Sequence, residues 1–226
     1  FVLAWGYAES LWILAAVFGF WAIRTRRWGW AIAAGLVLGF SRPLGIAFAA
    51  PVAIELFRVW RQSKNSERAF GVAAVCSPFV ATGAYLLWVN RVFGDAWLPF
   101  SVQNTLRGTS INPISRIWDG LSQMLGSNRF SDGLHIPFAL AFVVLLVLTF
   151  RWWPLSYGIF SAIILCAALG AENLNSLERY GINAFPLALT LAVATKNPLS
   201  DRVVTTVLAG GVVALSALAW TGAYVP

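Results

Sequence analysis

The sequence predicts an all-α, polytopic membrane protein with about seven or eight transmembrane helices, and three observations carry that expectation. Of the 226 residues, 59% are hydrophobic and 11% charged, against about 45–50% and roughly a quarter in a soluble domain; the mean hydropathy is +0.72. Apolar residues gather in blocks such as "IPFALAFVVLLVLTF" (136–150) and "VVTTVLAGGVVALSALAW" (203–220). These are continuous, as helices allow, where barrel strands would alternate. Tryptophans cluster near the ends of the blocks (Trp28, Trp30, Trp60, Trp97, Trp152, Trp153, Trp220), where an aromatic belt meets the membrane interface.

Breaking the chain at its charged and Pro-rich stretches gives spans near 8–23, 28–41, 44–60, 70–90, 136–151, 154–171, 181–195 and 203–221. A helix needs around 20 residues to cross a hydrocarbon core of about 30 Å, so the second and third are short. They read as a tight hairpin: "GWAIAAGLVLGF" rises, "SRP" turns and "GIAFAAPVAIELF" descends. Pro43 stops the first helix and Gly45 permits the turn. No internal repeat, low-complexity tract or soluble domain is visible, so residues 1–226 form one membrane domain.

Charge gives the orientation. One set of loops carries Arg24, Arg26, Arg27, Arg58, Arg61, Lys64, Arg68, Arg151, Lys196 and Arg202, ten of the 16 basic residues. The positive-inside rule places these loops in the cytoplasm and accounts for the net charge of +7 without nucleic acid. The other face then holds Arg42, the segment 91–135 and "AENLNSLERYG", with Glu9, Asp95, Asp119, Asp132, Glu172 and Glu178. Segment 91–135 is too polar to span and too long for a plain connection. Within it, Ile114, Ile117, Trp118, Leu121 and Leu125 recur at helical spacing, the pattern of a helix lying on the membrane surface.

The residues suited to chemistry lie on that non-cytoplasmic face. Arg42 fits two roles, a guanidinium snorkelling to lipid phosphate or one holding an anionic ligand in its planar fork. Glu9, among aromatics in "WGYAESLWIL", suits either a helix N-terminus or a polar cavity. Glu178, Arg179 and Tyr180 form either a solvated pair with a neighbour or the mouth of such a cavity. His135 is the sole histidine and reads as the start of a helix. Cys76 and Cys166 lack metal or disulfide spacing and read as small core residues. No Walker A, GxGxxG or HExxH sequence occurs, so neither a cytosolic nucleotide site nor a metal site is predicted.

The order of these motifs resembles that of the bacterial relatives of the PIG-V-like mannosyltransferases, in the GT-C glycosyltransferase superfamily. Tyr7, Glu9 and Ser10 match the family's Tyr-Ser-Glu-Ser element, with Ala8 in place of Ser. Ser41, Arg42, Pro43 and Gly45 match Thr-Arg-Pro-Thr-Gly, with Leu44 in place of Thr. "FGDAWLPFSVQ" (93–103) is similar to the Phe-Gly-Asp segment ending in Gln, and "SLERYGINAFPLAL" to the Ser-x-x-Arg-Tyr-x-x-x-x-Phe-Pro element.

The resemblance implies a GT-C-like fold. It also implies inverting transfer of a hexose, typically mannose, from a polyprenyl-phosphate donor to a lipid-linked or protein acceptor on the external face of a bacterial plasma membrane. Arg42 and Arg179 would bind the donor phosphate, and Tyr7, Glu9, Asp95, Gln103, Glu178 and Tyr180 would line the substrate cavity; no cofactor is implied. The family's catalytic acid lies in the first external loop. The chain opens on Phe1 without an initiator Met, so that loop is expected to precede it, no general base is assigned, and the piece alone is expected to be inactive. The rivals are a transporter or flippase, which would show related halves with polar residues at mid-membrane, and a non-catalytic scaffold subunit. The charge-based topology has a direct check. Single cysteines within 104–112 should react with an impermeant reagent added outside and those within 62–67 should not, and the reverse pattern overturns it.

Overall fold

The structure, a computed structural model, describes residues 8–107, 112–125, 135–170, 174 and 177–221. Every regular element among them is helical: α1 (Glu9–Arg24), α2 (Trp28–Ser41), α3 (Ala49–Val59), α4 (Asn65–Phe93), α5 (Leu98–Arg107), α6 (Pro113–Leu125), α7 (Ile136–Trp152), α8 (Leu155–Leu169), α9 (Leu177–Asn183), α10 (Phe185–Ala194) and α11 (Pro198–Trp220). Short 3-10 helices, Pro43–Phe48 and Trp60–Gln62, flank α3.

Three segments among the described residues are long and apolar enough to cross a membrane: Pro43–Gln62, Asn65–Phe93 and Pro198–Trp220. Four of the other expected spans correspond to apolar helices of 10–17 residues, too short at about 1.5 Å per residue to cover the core unaided. The expected span 181–195 is two helices. Pro186 occupies the first turn of α10, where proline is favoured, and the chain breaks at Ala184. In the segment 91–135, α4 runs on to Phe93 and ends at Gly94, whose φ of 77° is the left-handed conformation that closes helices. The apolar stripe of α6 divides: Ile117 and Leu121 pack inward while Ile114 and Trp118 are exposed.

The main core is built from α1, α2, α3, α8 and α10 around Trp12, Phe20, Phe48 and Phe160. Phe20 lies 5.1 Å from both Phe160 and Phe185, in edge-to-face geometry that favours ring pairs. A second cluster, with Ile136, Ala168, Leu174 and Leu177, sits where α6 to α9 meet. Cys76 and Cys166 are exposed rather than in the core. In a helix apolar all round, hydropathy does not separate the outward face from the inward one.

The α2–α4 seam depends on small residues. Gly35 faces Ser77, and Gly39 faces the backbone of Pro78 and the methyl of Ala81. Pro78 takes from α4 the N–H that would bond to the Ala74 carbonyl. The Ser77 hydroxyl donates to that carbonyl instead, at 2.9 Å. The Thr82 hydroxyl donates across the seam to the Gly39 carbonyl at 3.2 Å.

At one end of the bundle Glu55 is 1% exposed yet fully engaged. Its Oε1 accepts from Arg24 Nη1 at 3.1 Å and Ser156 Oγ at 2.7 Å, and its Oε2 from Arg58 Nε at 2.8 Å. One carboxylate thereby ties α1, α3 and α8.

The seam predicts opposite responses at two glycines. A Cβ on Gly39 would be driven into the Pro78 carbonyl, whereas one on Gly83 meets nothing within 4 Å. Gly39→Ala should therefore lower stability by about 1–3 kcal/mol, and Gly83→Ala should raise it by up to about 1 kcal/mol through helix propensity. Thermal midpoints in detergent check this, and equal shifts would refute the seam.

Candidate functional site

The site begins with the local conformation of "SRPLG". A residue before proline is pushed into extended backbone, and Arg42 has φ −160° and ψ 147°, closing α2 and leading into the 3-10 turn. Gly45 donates its N–H to the Arg42 carbonyl at 2.8 Å. A Cβ on Gly45 would strike the Leu38 carbonyl, so the turn packs against α2 only because the residue is glycine. The Arg42 side chain is largely buried, 19% exposed.

Arg42 Nη2 donates to Oε1 of Glu9 in the first turn of α1. The same oxygen lies 3.4 Å from Nε of Arg179 on α9. Glu9 is fully buried and Arg179 13% exposed. Thus one carboxylate oxygen faces two guanidinium groups from distant parts of the chain, while the other, Glu9 Oε2, is buried without a hydrogen-bond partner. Two guanidinium groups thus share one carboxylate oxygen, in a setting of low polarity where charge acts strongly.

Glu178 and Arg179 do not pair with each other as neighbours. Successive helical residues point about 100° apart, and Glu178 Oε1 meets His135 Nδ1 at 2.7 Å at the start of α7. The two adjacent charges therefore tie α9 to α7 and to α1. Tyr180 is partly buried against the second cluster. Asp95 is exposed, and its carboxylate accepts the Trp97 N–H at 2.8 Å, a local turn contact away from the arginines. Tyr7 lies outside the described residues, as does the side chain of Gln103 on α5.

Of the residues singled out in the sequence, the structure brings together Glu9, Arg42 and Arg179, with Glu178 adjoining through His135. The partnership of His135 had no sequence signal, because it joins residues 43 positions apart with no motif between them. Two further polar residues also escaped notice. Trp12 and Asn183 are fully buried, and Trp12 Nε1 and both amide atoms of Asn183 lack hydrogen-bond partners.

An open hollow of ≈ 380 Å³ is lined by Arg27, Trp28, Gly29, Trp30 and Ala33. It lies at the opposite end of α2 from Arg42, about 20 Å away at 1.5 Å per residue. Among the described residues no group of three or more His, Cys, Asp or Glu side chains is placed to hold a metal ion. Compared with protein-family models, curated proteins and solved structures, the chain matches none, so the reading of the site rests on its own geometry.

Proposed function

We propose that the protein is a membrane glycosyltransferase, moving a hexose, mannose in the typical case, from a polyprenyl-phosphate donor to a lipid-linked or protein acceptor at the non-cytoplasmic face. Arg42 and Arg179 hold the donor phosphate. The shorter helices complete a bundle of seven or eight crossings, with α9 and α10 as one broken crossing.

The observation that supports this reading is the unequal treatment of two buried carboxylates. Glu55 has both oxygens satisfied, by Arg24, Arg58 and Ser156. Glu9 has two arginines on one oxygen and nothing on the other. The first is a closed structural clamp. The second keeps guanidinium groups in place for an anion that has yet to arrive. Arginine's fork matches two phosphate oxygens at once, and charge-assisted bonds of this kind are roughly twice as strong as neutral ones.

In the reaction, the acceptor hydroxyl oxygen bonds to the anomeric carbon of the sugar as the bond from that carbon to the phosphate oxygen breaks. The electron pair leaves with the phosphate, where the arginines stabilise it, and the hydroxyl proton passes to a carboxylate base. Glu9 acts as a positioning residue for the guanidinium groups.

Arg42→Ala in the full-length protein should reduce sugar transfer from the lipid donor by about 10²–10³-fold, the usual cost of removing one pre-aimed donor from a developing anion. The thermal midpoint should fall as well, because Arg42 gives the buried Glu9 its hydrogen bond while Arg179 Nε acts on it by charge at 3.4 Å, so transfer is compared at a temperature where both proteins are folded. Normal turnover in this variant would sink the reading.

A further inference from the structure

The layer beneath the arginines is polar and unsatisfied. The stretch from α9 into α10 advances in the same direction as α1, since Glu9 meets Arg179 and, further along each, Phe20 meets Phe185. Trp12 and Asn183 fall between those two contacts, one turn below Glu9 and one turn below Arg179 respectively. Trp12 stacks on Phe160 at 5.7 Å, and Phe160 also lies 6.0 Å from Phe185, so one aromatic wall backs the layer. The neighbour of Phe160 on α8, Ser161, is fully buried with its hydroxyl lacking a partner.

Three orphaned groups sit on α1 and α9 at this junction: Glu9 Oε2, Trp12 Nε1 and the Asn183 amide. Buried polar groups are nearly always hydrogen-bonded, and an unmet one weakens folding by the cost of its lost hydration. A leucine at 183 would keep the branched outline of asparagine, with bulkier methyl groups, and none of that penalty. The layer therefore costs stability without any return from the fold itself.

We propose that this layer is the hydroxyl-reading subsite for the sugar carried on the phosphate, with Asn183 as its specificity-determining residue and Trp12 as a second donor. This rests on the arginine pair being a phosphate clamp. The amide supplies a donor and an acceptor side by side, which suits two neighbouring hydroxyls of a hexose. Trp12 Nε1 donates and Glu9 Oε2 accepts, so a polyol can satisfy every group in the layer. These atoms are buried, so hydroxyls reach them only as the packing over Glu9 opens to admit the donor.

The test compares two probes on the purified protein in nanodiscs, undecaprenyl phosphate and undecaprenyl-phosphate mannose. Asn183→Leu should leave the affinity for the sugar-free lipid unchanged and reduce that for the mannosylated lipid about tenfold. Trp12→Phe keeps the ring against Phe160 and should also weaken the mannosylated lipid alone, which preserves the test if Asn183→Leu folds poorly. If either folded variant weakens both lipids equally, or neither, the subsite is wrong and the orphaned groups are met by buried water. Arg42→Ala reports separately on the clamp: unchanged binding of undecaprenyl phosphate would refute the phosphate reading, whatever the Asn183 variant does.

Discussion

A carboxylate shut away from water must be matched by cations or hydrogen-bond donors, and this bundle has one such carboxylate at each end. Glu9 is fully buried and Glu55 nearly so. An ionised group in so apolar a setting costs several kcal/mol unless paired, so the elements that supply the partners are fixed by that need. Helix α1 meets both demands. It offers Glu9 to Arg42 and Arg179 at its start and sends Arg24 to Glu55 at its end. The α2–α3 hairpin is held in the same way, by Arg42 at its tip and Glu55 near its foot. Depth and rotation of α1 against the hairpin are thereby set at two points, and the aromatic core between them fills the space that remains.

The two ends share chemistry and differ in completeness. At Glu55 the partners Arg24 and Arg58 are partly exposed, and the hydroxyl of Ser156 completes the set. Such a site adds specificity to the packing more than net stability, since replacing a buried ion pair with well-packed apolar groups is often neutral. At Glu9 the set is incomplete, and the incompleteness continues one turn deeper in Trp12 and Asn183. Unpartnered groups occur at the Glu55 end too, but there they are the indole N–H groups of Trp28 and Trp153, while the Glu9 end adds a carboxylate oxygen and a side-chain amide.

Much of this was legible in the sequence, but in pieces. The helical class followed from continuous apolar blocks, and the hairpin tip from Pro43 and Gly45. Glu9, Arg42 and Arg179 each stood out as charges in apolar surroundings, yet their meeting on one oxygen could not be read, because it depends on three elements packing together. Asp95 was singled out by the resemblance, and one of its oxygens accepts the Trp97 N–H in its own turn. Hydropathy could not find Asn183, which sits inside a block scored as apolar, nor the break at Ala184. It matched most helix lengths and fell short for α4 and α11, but a window cannot distinguish a buried helix of 15 residues such as α8 from one that crosses unaided.

The position of Arg42 depends in turn on a contact that involves no charge. Gly39 lies one turn below Arg42, and its missing side chain lets α2 settle against the carbonyl of Pro78. Along the same seam the Ser77 hydroxyl takes up the Ala74 carbonyl that Pro78 leaves without its N–H, and the Thr82 hydroxyl donates across to the Gly39 carbonyl. A bulkier residue at 39 would push α2 outward and carry its C-terminal residue away from Glu9. A guanidinium bond tolerates only a few tenths of an ångström, so the small-residue seam sets the geometry of the charged end. Glycine at 39 and arginine at 42 thus act as one device: close packing positions the hairpin, and the hairpin delivers the charge.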